Sequence, residues 1–112
     1  MKLIGSAAEE QYKRELKEGA KHLLEEGGDP RLLDSLRREI GVVESAYYLS
    51  GYKLSDYHTC SLLVNGIAVC HIEMSGEQIE AFDTISISEY KKGLKKQGRI
   101  KLQVALELAA LE

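Results

Sequence analysis

Residues 57–74 read YHTCSLLVNGIAVCHIEM, two apolar-rich runs parted by Asn65-Gly66. An Asn-Gly step between such runs predicts a β-hairpin, because both central residues of a type I′ turn need positive φ and these two accept it most readily. A two-residue loop also sets the register. Val64 is expected opposite Ile67, Leu62 opposite Val69, Cys60 opposite His71 and His58 opposite Glu73. Side chains alternate between the faces of a strand, so His58, Cys60, His71 and Glu73 are expected to share one face at the end away from the turn.

A thiolate, two imidazoles and a carboxylate are metal ligands, and a thiol beside an imidazole is the arrangement of a cysteine nucleophile. These four residues are therefore the candidate metal set, and the function they imply is a small metal-binding or cysteine-dependent enzyme. The competing reading is structural: cysteine is commonly buried as a small hydrophobe. The chain holds no Cys-x-x-Cys, no His-Glu-x-x-His and no Gly-x-Ser-x-Gly, so the spacing matches no established signature and no catalytic residue or cofactor is expected. In the expected register Cys60 and Cys70 fall on opposite faces, too far apart in orientation to bridge. Two thiols fit a reducing, cytoplasmic location.

Upstream of the hairpin, Ala8, Tyr12, Leu16, Ala20, Leu23 and Leu24 recur at helical spacing and predict an amphipathic helix over 7–26. Ser6-x-x-Glu9 would cap it and Gly27-Gly28 would end it. A second helix is expected from Asp29 as N-cap and Pro30 at the first position to about Ile40, with Leu32, Leu33, Leu36 and Ile40 inward and Gly41 as terminator. Val42–Leu49 is β-branched and aromatic and reads as a strand.

Downstream, Ser75-Gly76 makes a turn and Ile79–Ile87 reads as a further strand, after which Ser86-x-x-Glu89 would cap a short helical turn. Ile100, Leu102, Val104, Leu106 and Leu108 alternate with more polar residues, and this period of two predicts a closing strand despite the helix-forming composition. Gly93 and Gly98 weigh the same way, each costing a long helix about 1 kcal/mol. The expected fold is α+β: two N-terminal helices packed on a mainly antiparallel four- to five-stranded sheet, in one domain over 1–112.

The 112 residues are enough for one core, and 44% hydrophobic with 29% charged is a globular composition. No apolar run approaches the roughly 20 residues of a membrane span, and acids arrive before a signal peptide could form. The closing Leu111-Glu112 reads as a cloning-site remnant. Lysines and arginines number nine against sixteen acids in residues 1–90, and six against two in residues 91–112. A basic segment thus sits on an acidic body.

That segment, Lys91, Lys92, Lys95, Lys96, Arg99 and Lys101, is suited to an acidic protein or nucleic acid. Gly93 to Ile100 has the glycine spacing of a P-loop but lacks its lysine and hydroxyl, so a solvated basic connection is the better reading. The paired N-terminal helices resemble a helix-turn-helix only as any helical hairpin does. Tyr47, Tyr48, Tyr52 and Tyr57 cluster within eleven residues, and tyrosine is enriched at interfaces. Both faces of the hairpin are apolar near its turn, so it is either covered on both sides or meets a partner.

The function these features favour is a non-enzymatic protein-interaction or regulatory module, of inhibitor or immunity type. Its partner would be another protein or a second copy in a homodimer, held by Tyr47, Tyr48 and Tyr52 and by Lys91, Lys92, Lys95, Lys96 and Arg99. A nucleic-acid-associated regulator using residues 91–101 is the alternative. The acidic remainder counts against nucleic acid, and nothing points to a membrane.

Overall fold

The computed structural model describes residues 7–25, 28–76 and 78–111. In chain order these form α1 (Ala7–Leu24), α2 (Pro30–Ile40), β1 (Ala46–Leu54), β2 (Tyr57–Val64), β3 (Ala68–Ser75), β4 (Gln78–Ser86), α3 (Ile87–Lys92) and α4 (Lys96–Ala110). The strands make one antiparallel meander, β1-β2-β3-β4. The chain is therefore α+β, with two N-terminal helices ahead of a four-stranded sheet and two further helices behind it.

α2 follows from its ends. Asp29 Oδ1 accepts from Leu32 N at 3.2 Å, Pro30 takes the first position, and Gly41 closes the helix at φ 99° with its N–H on Arg37 O at 2.8 Å. Serine caps α3 in the same way, with Ser86 Oγ accepting from Glu89 N at 3.1 Å. The capping residue expected for α1, Ser6, and the first of its two terminating glycines, Gly27, lie outside the described residues.

Helices cover the sheet on both faces. On one, Leu32, Leu33 and Leu36 of α2 pack on Cys60, Leu62, Val64, Cys70, Ile72 and Met74. On the other, Leu102, Ala105 and Leu108 of α4 pack with Leu16 of α1 on Tyr47, Leu49, Leu63 and Val69. Each fully buried leucine contributes about 1.5–3 kcal/mol, so the two layers supply most of the driving force. The double apolar character of the hairpin is thereby explained within one chain.

Three expectations are corrected. The C-terminal segment is the helix α4, not a strand: Leu102, Ala105 and Leu108 recur at helical spacing and are all buried. The alternating Ile100 and Leu106 lie on the half-buried outer side. The glycines did not oppose this helix. Gly93 sits at the end of α3, outside α4, and Gly98 lies in the first turn, where an added Cβ would come 3.1 Å from Leu94 Cδ2.

The β2–β3 register is one residue away from that expected. Asn65 (φ 55°) and Gly66 (φ 67°) do form the tight turn, with Ile67 N on Val64 O at 3.1 Å. The ladder, however, resumes at Val64↔Ala68, leaving Ile67 as an extra, 75% exposed residue in a bulge. The slip aligns Leu62 with Cys70 and Cys60 with Ile72, so apolar meets apolar beneath α2. It also puts Cys60 and Cys70 on the same face, both as free thiols.

The first strand begins at Ala46, not Val42. Asn65 is the reason: its Oδ1 accepts from Glu44 N at 2.7 Å and Ser45 N at 3.2 Å, and its Nδ2 donates to Val42 O at 2.8 Å. Residues 42–45 are thus strapped to the hairpin turn instead of entering the ladder. A second bulge, between Tyr48 and Ser50, lets β1 continue to Leu54. Among the described residues no helix is long and apolar enough to cross a membrane.

Candidate protein-interaction surface

The shifted register divides the expected metal set. His58 alternates with Cys60 on the α2 face, opposite Met74, whereas His71 and Glu73 alternate with Val69 on the α4 face, opposite Ser61 and Thr59. Among the described residues no group of three or more His, Cys, Asp or Glu side chains is placed to hold a metal. Burial pushes the Cys60 thiol up to about 12, with Asp29 and Cys70 adding to the effect, and burial also raises Cys70 against a weaker opposing bond to Thr84. A thiol held protonated is a poor nucleophile.

A different polar row crosses the sheet in its place. Ser61, His71 and Asp83 are direct neighbours on β2, β3 and β4, with Ser61 Oγ 3.0 Å from His71 Nδ1. Serine, histidine and aspartate are also the residue types of acyl transfer. Ser61 is buried, and β2 is an interior strand whose backbone N–H groups go to the ladder. One row further on, the Tyr57 hydroxyl donates to the Glu73 carboxylate, and this bond is the main reason its phenol is pushed up to about 12.

The tyrosines separate by strand geometry. Tyr47 and Tyr48 do point to opposite faces, but both are covered: Tyr47 joins the α4-side core, and Tyr48 packs against the α2-side core, close enough to Gly19 that an added Cβ there would lie 3.1 Å from its ring. Burial pushes the Tyr48 phenol up to about 12. Tyr52 is exposed, and its ring centroid lies 6.2 Å from that of Tyr57. A depression of about 380 Å³ at the β1 edge gathers Tyr48, Tyr52, His58 and Cys60 with Lys101.

The basic segment is the feature that gains most from the structure. Lys91, Lys96 and Arg99 line a groove of about 660 Å³ between α3 and α4, and Ile87, Ile100 and Leu106 supply its apolar surface. The other cations are placed differently. Lys92 pairs with Glu89 at 3.1 Å, Lys95 occupies the start of α4, and the Lys101 ammonium lies 5.8 Å from the centre of the Tyr12 ring. An open groove with apolar surface and cations along its rim suits an amphipathic anionic partner.

Reading residues 100–108 as a strand hid this surface. On a helix, Lys96, Arg99, Ile100, Gln103, Leu106 and Glu107 fall on one stripe, and the spacing of three and four was present in the sequence. The chain matches no protein-family model, and no curated protein or solved structure is significantly similar to it.

Proposed function

We propose that this chain is a non-enzymatic protein-interaction module whose partner docks on the face built by α3 and α4. The observation that carries the reading is the groove in which Ile87, Ile100 and Leu106 lie beside Lys91, Lys96 and Arg99. Apolar area left at the surface favours association, and the flanking cations select an acidic partner and steer its approach. Nucleic acid fits less well, because phosphate recognition rewards a polar basic surface and has no use for aliphatic groups at its centre. The split His/Cys/Glu set and the protonated Cys60 thiol withdraw support from the metal or thiol enzyme.

The test compares three baits: the native chain, Ile100→Asp, and the double variant Lys96→Glu/Arg99→Glu. Proteins retained by the first and lost by both variants support docking on this face. A set retained equally by all three would remove it. Labelled duplex DNA at low salt discriminates the alternative, since salt-sensitive binding lost in the double variant and kept in Ile100→Asp would favour a nucleic-acid role.

A further inference from the structure

The sheet has one edge that its own helices close only in part. β1 is the outer strand beside β2, and α1 crosses its edge at Tyr48: Leu16 lies in the α4-side core, Leu23 in the α2-side core, and Gly19 against the Tyr48 ring. Beyond that crossing every residue from Ser50 to Leu54 is exposed, Tyr52 at 56% and Leu54 at 65%. The opposite edge, β4, carries Asp83 and a Glu80 that the ladder skips, and charges and bulges of this kind discourage strand addition. Residues 50–54 carry a single charge, Lys53.

The backbone of this stretch has a definite phase. Leu54 faces Tyr57 across the two-residue turn Ser55-Asp56. The pair flanking such a turn exchanges hydrogen bonds, and bonded and non-bonded pairs alternate from there. Leu54, Tyr52 and Ser50 therefore bond to β2, while the N–H and C=O groups of Gly51 and Lys53 point away from the sheet. The Thr59 carbonyl oxygen, 2.5 Å from where a Cβ on Gly51 would stand, faces β1 as this phase requires. We propose that the outward groups bind a second copy of the chain: β1 pairs antiparallel with the partner's β1 about a two-fold axis at Tyr52, joining the two sheets into one. This edge is separate from the groove between α3 and α4, and the pairing does not depend on a partner docking there.

The exposed stretch complements itself in that register. Gly51 meets the partner's Lys53 and Lys53 the partner's Gly51, each pair exchanging both N–H···O bonds. Tyr52 faces the partner's Tyr52 with about 4.5 Å between Cα atoms, a spacing at which aromatic side chains pack. Its ring centroid already lies 6.2 Å from that of Tyr57, so the two copies form a row of four rings. An axis at Lys53 would instead set lysine against lysine. An axis at Gly51 would carry the partner's Lys53 to Leu49, at the bulge beside α1. With the axis at Tyr52, the partner's chain has already turned at Ser55 when it reaches that level, so α1 does not obstruct it. On the α2 side the partner's Lys53 leans over the bare Gly51 into the depression of about 380 Å³ that Tyr48 and Cys60 also line. The Asp29 carboxylate lies on this side: burial is the larger cause, but its charge helps hold the Tyr48 phenol and the Cys60 thiol protonated. The two lysines are diagonal neighbours about 7–8 Å apart, and each faces the other copy's Asp29.

Sedimentation velocity of the full chain from micromolar to millimolar concentration tests the pairing, and a reversible monomer–dimer equilibrium is expected. Lys53→Pro should keep the native circular dichroism yet stay monomeric, because proline deletes an N–H that the monomer leaves to solvent and the dimer uses. Lys53→Glu should weaken the dimer about tenfold or more by setting a carboxylate toward the partner's Asp29. Tyr52→Cys should cross-link to itself across the axis under an added thiol oxidant, while the buried Cys60 and Cys70 stay reduced. Amide exchange of the native chain needs no variant: Gly51 and Lys53 should slow as concentration rises, whereas Tyr52 and Leu54, already bonded to β2, should not. A chain monomeric at every concentration, Gly51 and Lys53 amides indifferent to concentration, or a Tyr52→Cys protein that does not cross-link would each overturn the proposal. So would a dimer that survives Lys53→Pro and dissociates on Ile100→Asp, which would move self-association to the groove between α3 and α4.

Discussion

Asn65 and Val42 are joined across the end of the sheet, the Asn65 Nδ2 donating to the Val42 carbonyl at 2.8 Å. The same side chain accepts from Glu44 N and Ser45 N while its backbone holds φ 55°. One residue thus serves the turn and anchors the lead-in to β1. Asn65→Gly keeps the turn's backbone but loses three hydrogen bonds, and should lower unfolding free energy by about 2–4 kcal/mol at a net 0.5–1.5 kcal/mol per bond. Asn65→Ala should cost more, since alanine also resists positive φ. Urea unfolding measures both, and a loss below that of an ordinary surface substitution would sink the strap.

Gly51 occupies a place where backbones meet. A Cβ built there lies 2.5 Å from the Thr59 carbonyl oxygen and 3.1 Å from Cys60 Cα, immediately after the bulge at Leu49. Neither neighbour is the end of a flexible side chain, so Gly51→Ala must push β1 away from β2. About 1–3 kcal/mol of destabilisation is expected from such overpacking. Faster amide exchange over residues 50–54, with α2 unchanged, would locate the damage. Uniform protection identical to the native chain would contradict it.

The helices at the N-terminus were legible because their signals are local: Asp29-Pro30 and Gly41 act within one turn of the positions they cap. The Asn65-Gly66 turn was legible for the same reason. The bulge at Ile67 was not, because it is decided by what packs above the strands. Pairing Cys60 with His71 would mix apolar and polar side chains on each face, whereas pairing Cys60 with Ile72 and Ser61 with His71 segregates them. That preference is written in residues 58–74 and competes there with the turn rule. α4 failed to be legible for a related reason. Ile100 and Leu106 reach the surface as part of a helical stripe, and their alternation with Leu102, Val104 and Leu108 mimics a strand.

The buried thiol gives a pH dependence with a definite sign. Cys60 titrates near an ordinary 9.0 when the chain is unfolded and is pushed up to about 12 in the fold, mainly by burial. Between those values the unfolded chain loses a proton that the folded chain retains. Stability from this group is therefore complete below about pH 9 and declines as pH rises toward 12. Tyr48, raised from 10.0 to about 12 by burial, adds a decline in the upper part of that window. The urea midpoint should fall progressively above pH 9, and less steeply in Cys60→Ala relative to its own neutral-pH midpoint. Thiol reagents should modify native Cys60 only on the timescale of opening. A flat alkaline profile, or rapid modification of Cys60 in the native state, would count against a sealed thiol.

The Tyr57–Glu73 hydrogen bond makes a prediction independent of burial in the core. Glu73 accepts from the phenol, and this bond, followed by desolvation and by the negative charge itself, pushes Tyr57 from 10.0 up to about 12. Ionising the phenol removes the donated proton and sets phenolate against carboxylate. Glu73→Gln keeps an acceptor of similar shape while deleting the charge, so the phenol should titrate closer to 10.0. Ultraviolet titration of tyrosinate follows this directly, with Tyr57→Phe identifying which transition belongs to residue 57. Because Tyr57 stacks obliquely on the exposed Tyr52, the tyrosine fluorescence should change through the same pH range. If the Tyr57 transition is unmoved in Glu73→Gln, the carboxylate is not its partner in solution, and the order of that half of the sheet face must come from Thr59 and Ser61 beneath it.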